Sequence, residues 1–221
     1  MSELVAEVRE PSGEPEGALI LLHGRATDEH DLYPFLDFLD PEKRLFGITP
    51  GGPFTDQPPG GRHWYAVKEI GYPEPQTFAQ GYEALTSFLD EKLAKRGIDW
   101  SRTVIGGFSQ GAVMSYALGL GKGRPKPAGI LAMSGFIPTV YGWEPDLASR
   151  KNLPVMITHG ELDPVISVEF GWRARDLLIE GELDVTYLES RMAHTIDPRV
   201  IPELTEWVRE RIPPPGRPPR P

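Results

Sequence analysis

The chain has 221 residues, with 23 Lys and Arg against 32 Asp and Glu for a formal charge of −9, and no cysteine. The missing thiols exclude a disulfide framework, a thiolate zinc site and a cysteine nucleophile. The acidic balance argues against nucleic acid or an anionic membrane surface as a partner.

A chain of this length can bury roughly 70–75% of its unfolded surface without staples. One folded unit is therefore expected over residues 1–212, followed by PPPGRPPRP at 213–221, an extended, mobile tail. The start, MSELVAEVREPSGEPE, has neither a cationic opening nor an apolar h-region. With the absent cysteines this suits a reducing compartment, so a cytoplasmic location is expected. The longest apolar run nearby, Ala18 to Leu22, is far short of the ~20 residues of a membrane span.

In chain order, Leu4 to Val8 alternates as a short strand, and ALILLHG (18–24) reads as a buried strand stopping at glycine. RLFGITP (44–50) is the next apolar run. A long Gly- and Pro-rich stretch, 51–75, reads as a loop without regular structure. From about Thr77 to Arg96, Phe78, Tyr82, Leu85, Leu89 and Leu93 fall on one face at a period of 3.6, the mark of an amphipathic helix. TVIGGFS (103–109) is a strand, and Gln110 to Leu120 a short, nearly all-apolar helix. GILAMSG (129–135), PVMITHG (154–160) and DVTYLES (184–190) complete seven strands. Val165–Glu180 and Arg199–Arg211 read as amphipathic helices, with Pro198 in the first turn of the second. Strands alternating with helices predict an α/β fold: a mostly parallel central sheet of about seven strands with helices on both faces. Ligands in such folds bind beyond the carboxyl ends of the strands.

One strand end carries the sharpest signal. After TVIG comes Gly107-Phe108-Ser109-Gln110-Gly111, a Gly-x-Ser-x-Gly pattern at a strand-to-helix turn. A serine on so tight an elbow needs neighbours without Cβ atoms. The helix behind it aims N–H groups and positive dipole at developing negative charge. The plainer reading is a serine capping an ordinary helix. A nucleophilic serine needs a base, and of five histidines His194 follows the last strand, on the same rim. His159 also ends a strand, but it reads as a backbone-turn residue ahead of Asp163. Asp163 suits the acid that fixes a histidine tautomer, or alternatively a helix cap. Asp197 is the rival acid; heading a helix, it suits capping better. The order Ser109, Asp163, His194 is that of an α/β-hydrolase. Oxyanion donors are expected at the backbone N–H groups of Gln110 and Arg25, with Gly51-Gly52 as runner-up for the second.

The residues resemble the phospholipase/carboxylesterase family of α/β-hydrolases, which includes acyl-protein thioesterases and small bacterial carboxylesterases. The resemblance runs from LLHG at 21–24 to the helix ending near Arg211. It rests on HG followed by DL at 31–32, GRHWY at 61–65, GFSQGAVMS, SGFIP, HGELDPV and MAHTI. It implies Ser109 as nucleophile, Asp163 and His194 as its partners, and Arg25 with Gln110 as oxyanion donors. Ala26, Ala66 and Ala193 depart from the family, which commonly has glycine, aspartate and glycine at those places.

The activity expected is a cofactor-free serine carboxylesterase acting on short- to medium-chain acyl or aryl esters. The alternatives are a thioesterase or lysophospholipase, and a hydrolase-fold binding protein with negligible turnover. Trp64, Tyr65, Phe136 and Val165 are the substrate-pocket candidates, the 51–75 stretch forming one wall of an apolar groove or simply packing on the sheet. About twenty residues between Ser134 and Pro154 leave no room for a large lid domain. Asp28, Glu29, His30 and Asp31 lack ligand spacing, so no metal is expected. The partner expected is a small-molecule ester, with no nucleic acid; a homodimer is left open.

Overall fold

The computed structural model describes residues 4–55 and 60–214. The expected tail lies, from residue 215 on, outside the described residues, as do 56–59 of the long loop. Nine strands are present among the described residues: β1 Ala6–Arg9, β2 Ala18–Leu22, β3 Phe46–Pro50, β4 Val67–Glu69, β5 Tyr72–Pro73, β6 Thr103–Phe108, β7 Gly129–Met133, β8 Pro154–Gly160 and β9 Asp184–Ser190. The helices are α1 Phe35–Leu39, α2 Pro75–Ala94, α3 Gln110–Leu120, α4 Val168–Glu180 and α5 Ile201–Arg211.

Seven strands form one sheet in the order β1-β3-β2-β6-β7-β8-β9. All pairings are parallel except β1 against β3. Alternate residues of the central strands enter two separate cores. Ile20, Leu22, Ile105, Ile130 and Ile157 face α2, α3 and α4. Leu19, Leu21, Val104, Leu131 and Met156 face α1 and α5. Both faces being covered, β2, β3 and β7 are buried throughout and can be continuously apolar. Edge strand β9 is only half-buried, which lets DVTYLES alternate.

Local chemistry sets the helix starts. Glu74 accepts from the N–H groups of Gln76 and Thr77 with Pro75 behind it, so α2 begins two residues before the period suggests. Helix α4 begins at Val168, capped by Ser167, because the preceding residues are held by Asp163. The stretch before α5 is a 3-10 turn over Pro198–Val200 with Asp197 as its cap. Helix α3 is buried along its whole length. At and just beyond its C-terminus the buried Arg150 donates to the carbonyls of Gly119 (2.8 Å), Gly121 (3.0 Å) and Arg124 (2.7 Å).

The 51–75 stretch is not without regular structure. Strands β4 and β5 pair within it, and bridges Thr27↔Arg62 and Phe54↔His63 tie it to the β2 loop and to itself. Composition hid this, because two- and three-residue strands are too short for a period to show. No helix among the described residues is long and apolar enough to cross a membrane.

Candidate active site

Ser109 stands between β6 and α3 at φ 56°, ψ −119°, a left-handed backbone conformation that L-residues rarely adopt. The turn is tight enough to explain both flanking glycines. A Cβ at Gly107 would sit 2.5 Å from the backbone of Gly111, and one at Gly111 would sit 1.9 Å from the Leu22 carbonyl oxygen. The Ser109 N–H donates to Met133 O at 2.9 Å, which ties the elbow to β7.

Two neighbouring loops bring the other groups in. Asp163, three residues beyond β8, has a fully buried side chain whose Oδ1 accepts from the N–H groups of Val165 (2.8 Å) and Ile166 (2.9 Å). Its Oδ2 lies 2.6 Å from His194 Nδ1, and His194 Nε2 lies 2.9 Å from Ser109 Oγ. Of the two sequence readings of Asp163, Oδ2 has the geometry of the histidine partner; the helix-cap reading does not hold, because Oδ1 ties a turn ahead of α4, whose own cap is Ser167. An ionised carboxylate only accepts, so it keeps the proton on Nδ1 and leaves the Nε2 lone pair facing the serine hydroxyl. Phe108 packs against the His194 ring, with centroids 4.8 Å apart.

The rival groups are occupied elsewhere. Asp197 accepts from the backbone N–H and guanidinium of Arg199, which hold its carboxyl down at about 2. His159 lies inside β8 with its ring sealed, rather than serving only as a turn residue. Its Nε2 donates to the Ile166 carbonyl at 2.8 Å and stands 3.6 Å from Asp163 Oδ2. Burial pushes its pKa below the ordinary histidine value.

Around the β2 loop, sequence reasoning missed His23. Its buried ring accepts from Gly52 N–H at Nε2 (2.9 Å), so the proton is on Nδ1, which meets the Gly24 carbonyl at 2.6 Å. Thr27 Oγ1 donates to the same carbonyl at 2.9 Å. In a trans peptide the C=O and the following N–H point in opposite directions. Fixing Gly24 O therefore aims the Arg25 N–H the other way. The N–H groups of Ala26 and Ser109 are engaged, by Arg62 O and Met133 O. Those of Arg25 and Gln110 donate to no acceptor among the described residues. Gly52, the runner-up donor, is committed to His23. The Gln110 side chain clasps the loop opposite, accepting from Trp64 N (2.8 Å) and donating to Tyr65 O (2.8 Å). The one cue to His23 was its place directly before the Gly24 turn.

Two clefts open at Ser109. The first, about 220 Å³, is lined by Arg25, Ala26, Tyr65, Val67, Ile70, Ser109, Gln110, Phe136, Val165, Ile166 and His194. Tyr65, Phe136 and Val165 thus line it. Trp64 does not: it is fully buried behind the wall and donates through Nε1 to His23 O at 2.9 Å. Burial pushes the Tyr65 phenol upward, which keeps it neutral. The second cleft, about 350 Å³, is lined by Gly24, Arg25, Thr27, Asp31, Leu32, Phe35, Phe108, Ser109, His194, Thr195 and Ile196. In the acidic stretch 28–31, Glu29 pairs with Arg62 at 3.0 Å and His30 lies 3.6 Å from Glu7. Among the described residues no group of three or more His, Asp or Glu is arranged to hold a metal ion.

A mostly parallel sheet with a serine elbow after its central strand, and later loops carrying aspartate and histidine, defines an α/β-hydrolase. The phospholipase/carboxylesterase family model matches residues 4–212, and the chain belongs to that family. It is similar to acyl-protein thioesterase 1 of Debaryomyces hansenii, 31% identical over 64% of this chain and 61% of that protein. With acyl-protein thioesterase 1 of Candida albicans it is 30% identical over 78% of this chain and 82% of that protein. In fold it is similar to the carboxylesterase of Bacillus cereus, with a TM-score of 0.81 over 94% of both chains at 20% identity.

Proposed function

We propose that the chain is a serine carboxylesterase that hydrolyses short- to medium-chain acyl or aryl esters through an acyl-enzyme. Ser109 Oγ attacks the ester carbonyl while His194 Nε2 takes its proton, and Asp163 stabilises the resulting imidazolium. The N–H groups of Arg25 and Gln110 receive the oxyanion, each such donor being worth about 10²–10³ in turnover. Collapse expels the alcohol with the proton from His194. Water, activated by the same Nε2, then releases the acid.

The observation that carries this reading is the unbroken chain from Asp163 Oδ2 through His194 to Ser109 Oγ, at 2.6 and 2.9 Å. The first cleft, at about 220 Å³, is smaller than the roughly 300–1,000 Å³ of typical drug-sized sites, which favours short or medium acyl chains. Mass spectrometry after treatment with a fluorophosphonate should find the adduct on Ser109. Ser109→Ala should abolish turnover, and hydrolysis remaining within about tenfold of wild type would refute the assignment.

A second reading, acyl thioesterase, is favoured by the names of the yeast relatives. Matched esters and thioesters of rising chain length separate the two by kcat/KM.

A further inference from the structure

We infer that the two clefts divide the ester between them, the first taking the acyl chain and the second the leaving alcohol. We infer further that the second cleft is built for an uncharged alcohol, aryl or similarly bulky and apolar. The inference rests on the serine-esterase reading above and adds which residues choose each half of the substrate.

The clefts share only Arg25, Ser109 and His194. A carbonyl carbon bonded to Ser109 Oγ therefore has one cleft on each side, and its two carbon-bearing substituents must diverge into them. The proton decides which goes where. Attack forms the Oγ–C bond and moves the Ser109 proton to His194 Nε2. When the C–O bond to the alcohol breaks, that same proton must reach the departing oxygen. The leaving oxygen therefore faces the imidazole. Thr195 and Ile196, next to His194 in the chain, wall the second cleft. So does Phe108, which is packed on the imidazole.

Water gives an independent argument. In the second half-reaction water attacks the acyl carbon from the place the alcohol vacated, handing its proton to the same Nε2. Carboxylic acid leaves and Ser109 regains its hydroxyl. By microscopic reversibility the alcohol cleft must also admit water. The second cleft has exposed Asp31 and Thr195 and half-exposed Phe35 on its rim. The first is open at the exposed Arg25 and Val165 but is walled by Tyr65, Phe136 and Ile166, all buried, and that buried wall suits a group that stays attached through both steps.

The lining names the alcohol. Leu32, Phe35, Phe108 and Ile196 give an apolar wall with two aromatic rings. The charged side chains there, apart from His194, are Arg25 and Asp31, of opposite sign. Such a cleft favours neither an anionic nor a cationic leaving group. An aryl ring can pack on the phenylalanines in offset or edge-to-face contact.

The test is pre-steady-state kinetics on the full chain with two ester families. One has a butanoyl acyl group on methanol, phenol or 2-naphthol; the other has one alcohol and rising acyl length. Phe35→Ala and Ile196→Ala should each lower the naphthyl-to-methyl ratio of acylation kcat/KM about tenfold. The butanoyl-enzyme is the same whatever alcohol formed it, so within each variant its deacylation rate should differ less than about twofold between the alcohols. Val67→Ala, in the first cleft, should instead change the acyl-length preference. Ile196→Ala alone suffices if Phe35→Ala does not fold. An unchanged alcohol ratio overturns the inference, and so does an altered acyl-length preference in the second-cleft variants. Either result alongside a normal acyl-enzyme burst leaves the serine reading intact. If no ester acylates Ser109, that reading falls and takes this one with it.

Discussion

Ser109 occupies a backbone position that suits glycine, and holding a side chain there costs about 1–3 kcal/mol. The cost is local, because the elbow is fixed from three sides: by β6, by α3 and by the hydrogen bond to Met133. Two variants at Ser109 should therefore invert an ordinary rule. Glycine normally makes a chain less stable than alanine at the same position, because it frees the unfolded state. Here Ser109→Gly and Ser109→Ala both lose the bond to His194, and only glycine also relieves the backbone. Ser109→Gly should unfold at higher urea than Ser109→Ala, by about 1 kcal/mol. The opposite order would mean that the elbow carries no strain. The tight elbow at Ser109 was legible in advance, because glycines on both sides of a serine between an apolar strand and a helix mark a turn without room for neighbouring Cβ atoms. The role of the His23 ring was not. A buried histidine's partners are contributed by Gly24 and Gly52, and no period or spacing links position 23 to position 52.

At the scale of elements, the sequence revealed what repeats and concealed what pairs. The seven main strands and the long helices followed from period and punctuation. Helix α1, five residues of FLDFL, is shorter than any window in which a 3.6-residue period can show. The β4–β5 pair escaped for the same reason. Arg150 escaped because an arginine in a polar stretch reads as surface. In the fold it is buried against the C-terminus of α3, where three carbonyls and the negative end of the helix dipole meet its guanidinium. Helix α3 carries Ser109 at its other end. Replacing Arg150 removes the side-chain donor of the buried Gly119 carbonyl and one of the two donors of Gly121, which keeps the Arg124 N–H. Arg150→Met should destabilise by about 2–4 kcal/mol, read as a lower urea midpoint at unchanged slope. A change below about 0.5 kcal/mol would show that water replaces the guanidinium at no cost.

For the molecule as a whole, the two sealed histidines should lower stability on the acid side. His23 and His159 both have pKa values below the ordinary one, with burial the largest cause in each. The Gly24 carbonyl, then Asp31, Asp28 and Glu29, pull His23 upward, as the Ile166 carbonyl, Asp163 and Glu189 do His159, while His194 pushes His159 down, and desolvation outweighs the upward pulls. The sign follows from proton counts. Below the ordinary histidine value of about 6.5 the unfolded chain takes up protons that the folded chain refuses, so stability falls as pH falls. Each such group contributes a slope of up to about 1.4 kcal/mol per pH unit until its folded pKa is passed. Asp197 acts lower down: held at about 2 by Arg199, it contributes stability above the usual carboxylate range of about 4 that is lost as pH falls toward 2. Urea denaturation at a series of pH values should therefore show stability declining from near pH 6.5 downward. Arg199→Ala should leave the limb between about pH 6.5 and 5 in place and weaken only the decline below about pH 4. His159→Gln keeps a donor for the Ile166 carbonyl and removes the titrating ring, so it should flatten the upper limb. A limb equally steep in His159→Gln would mean that this ring takes up its proton without opposing the fold.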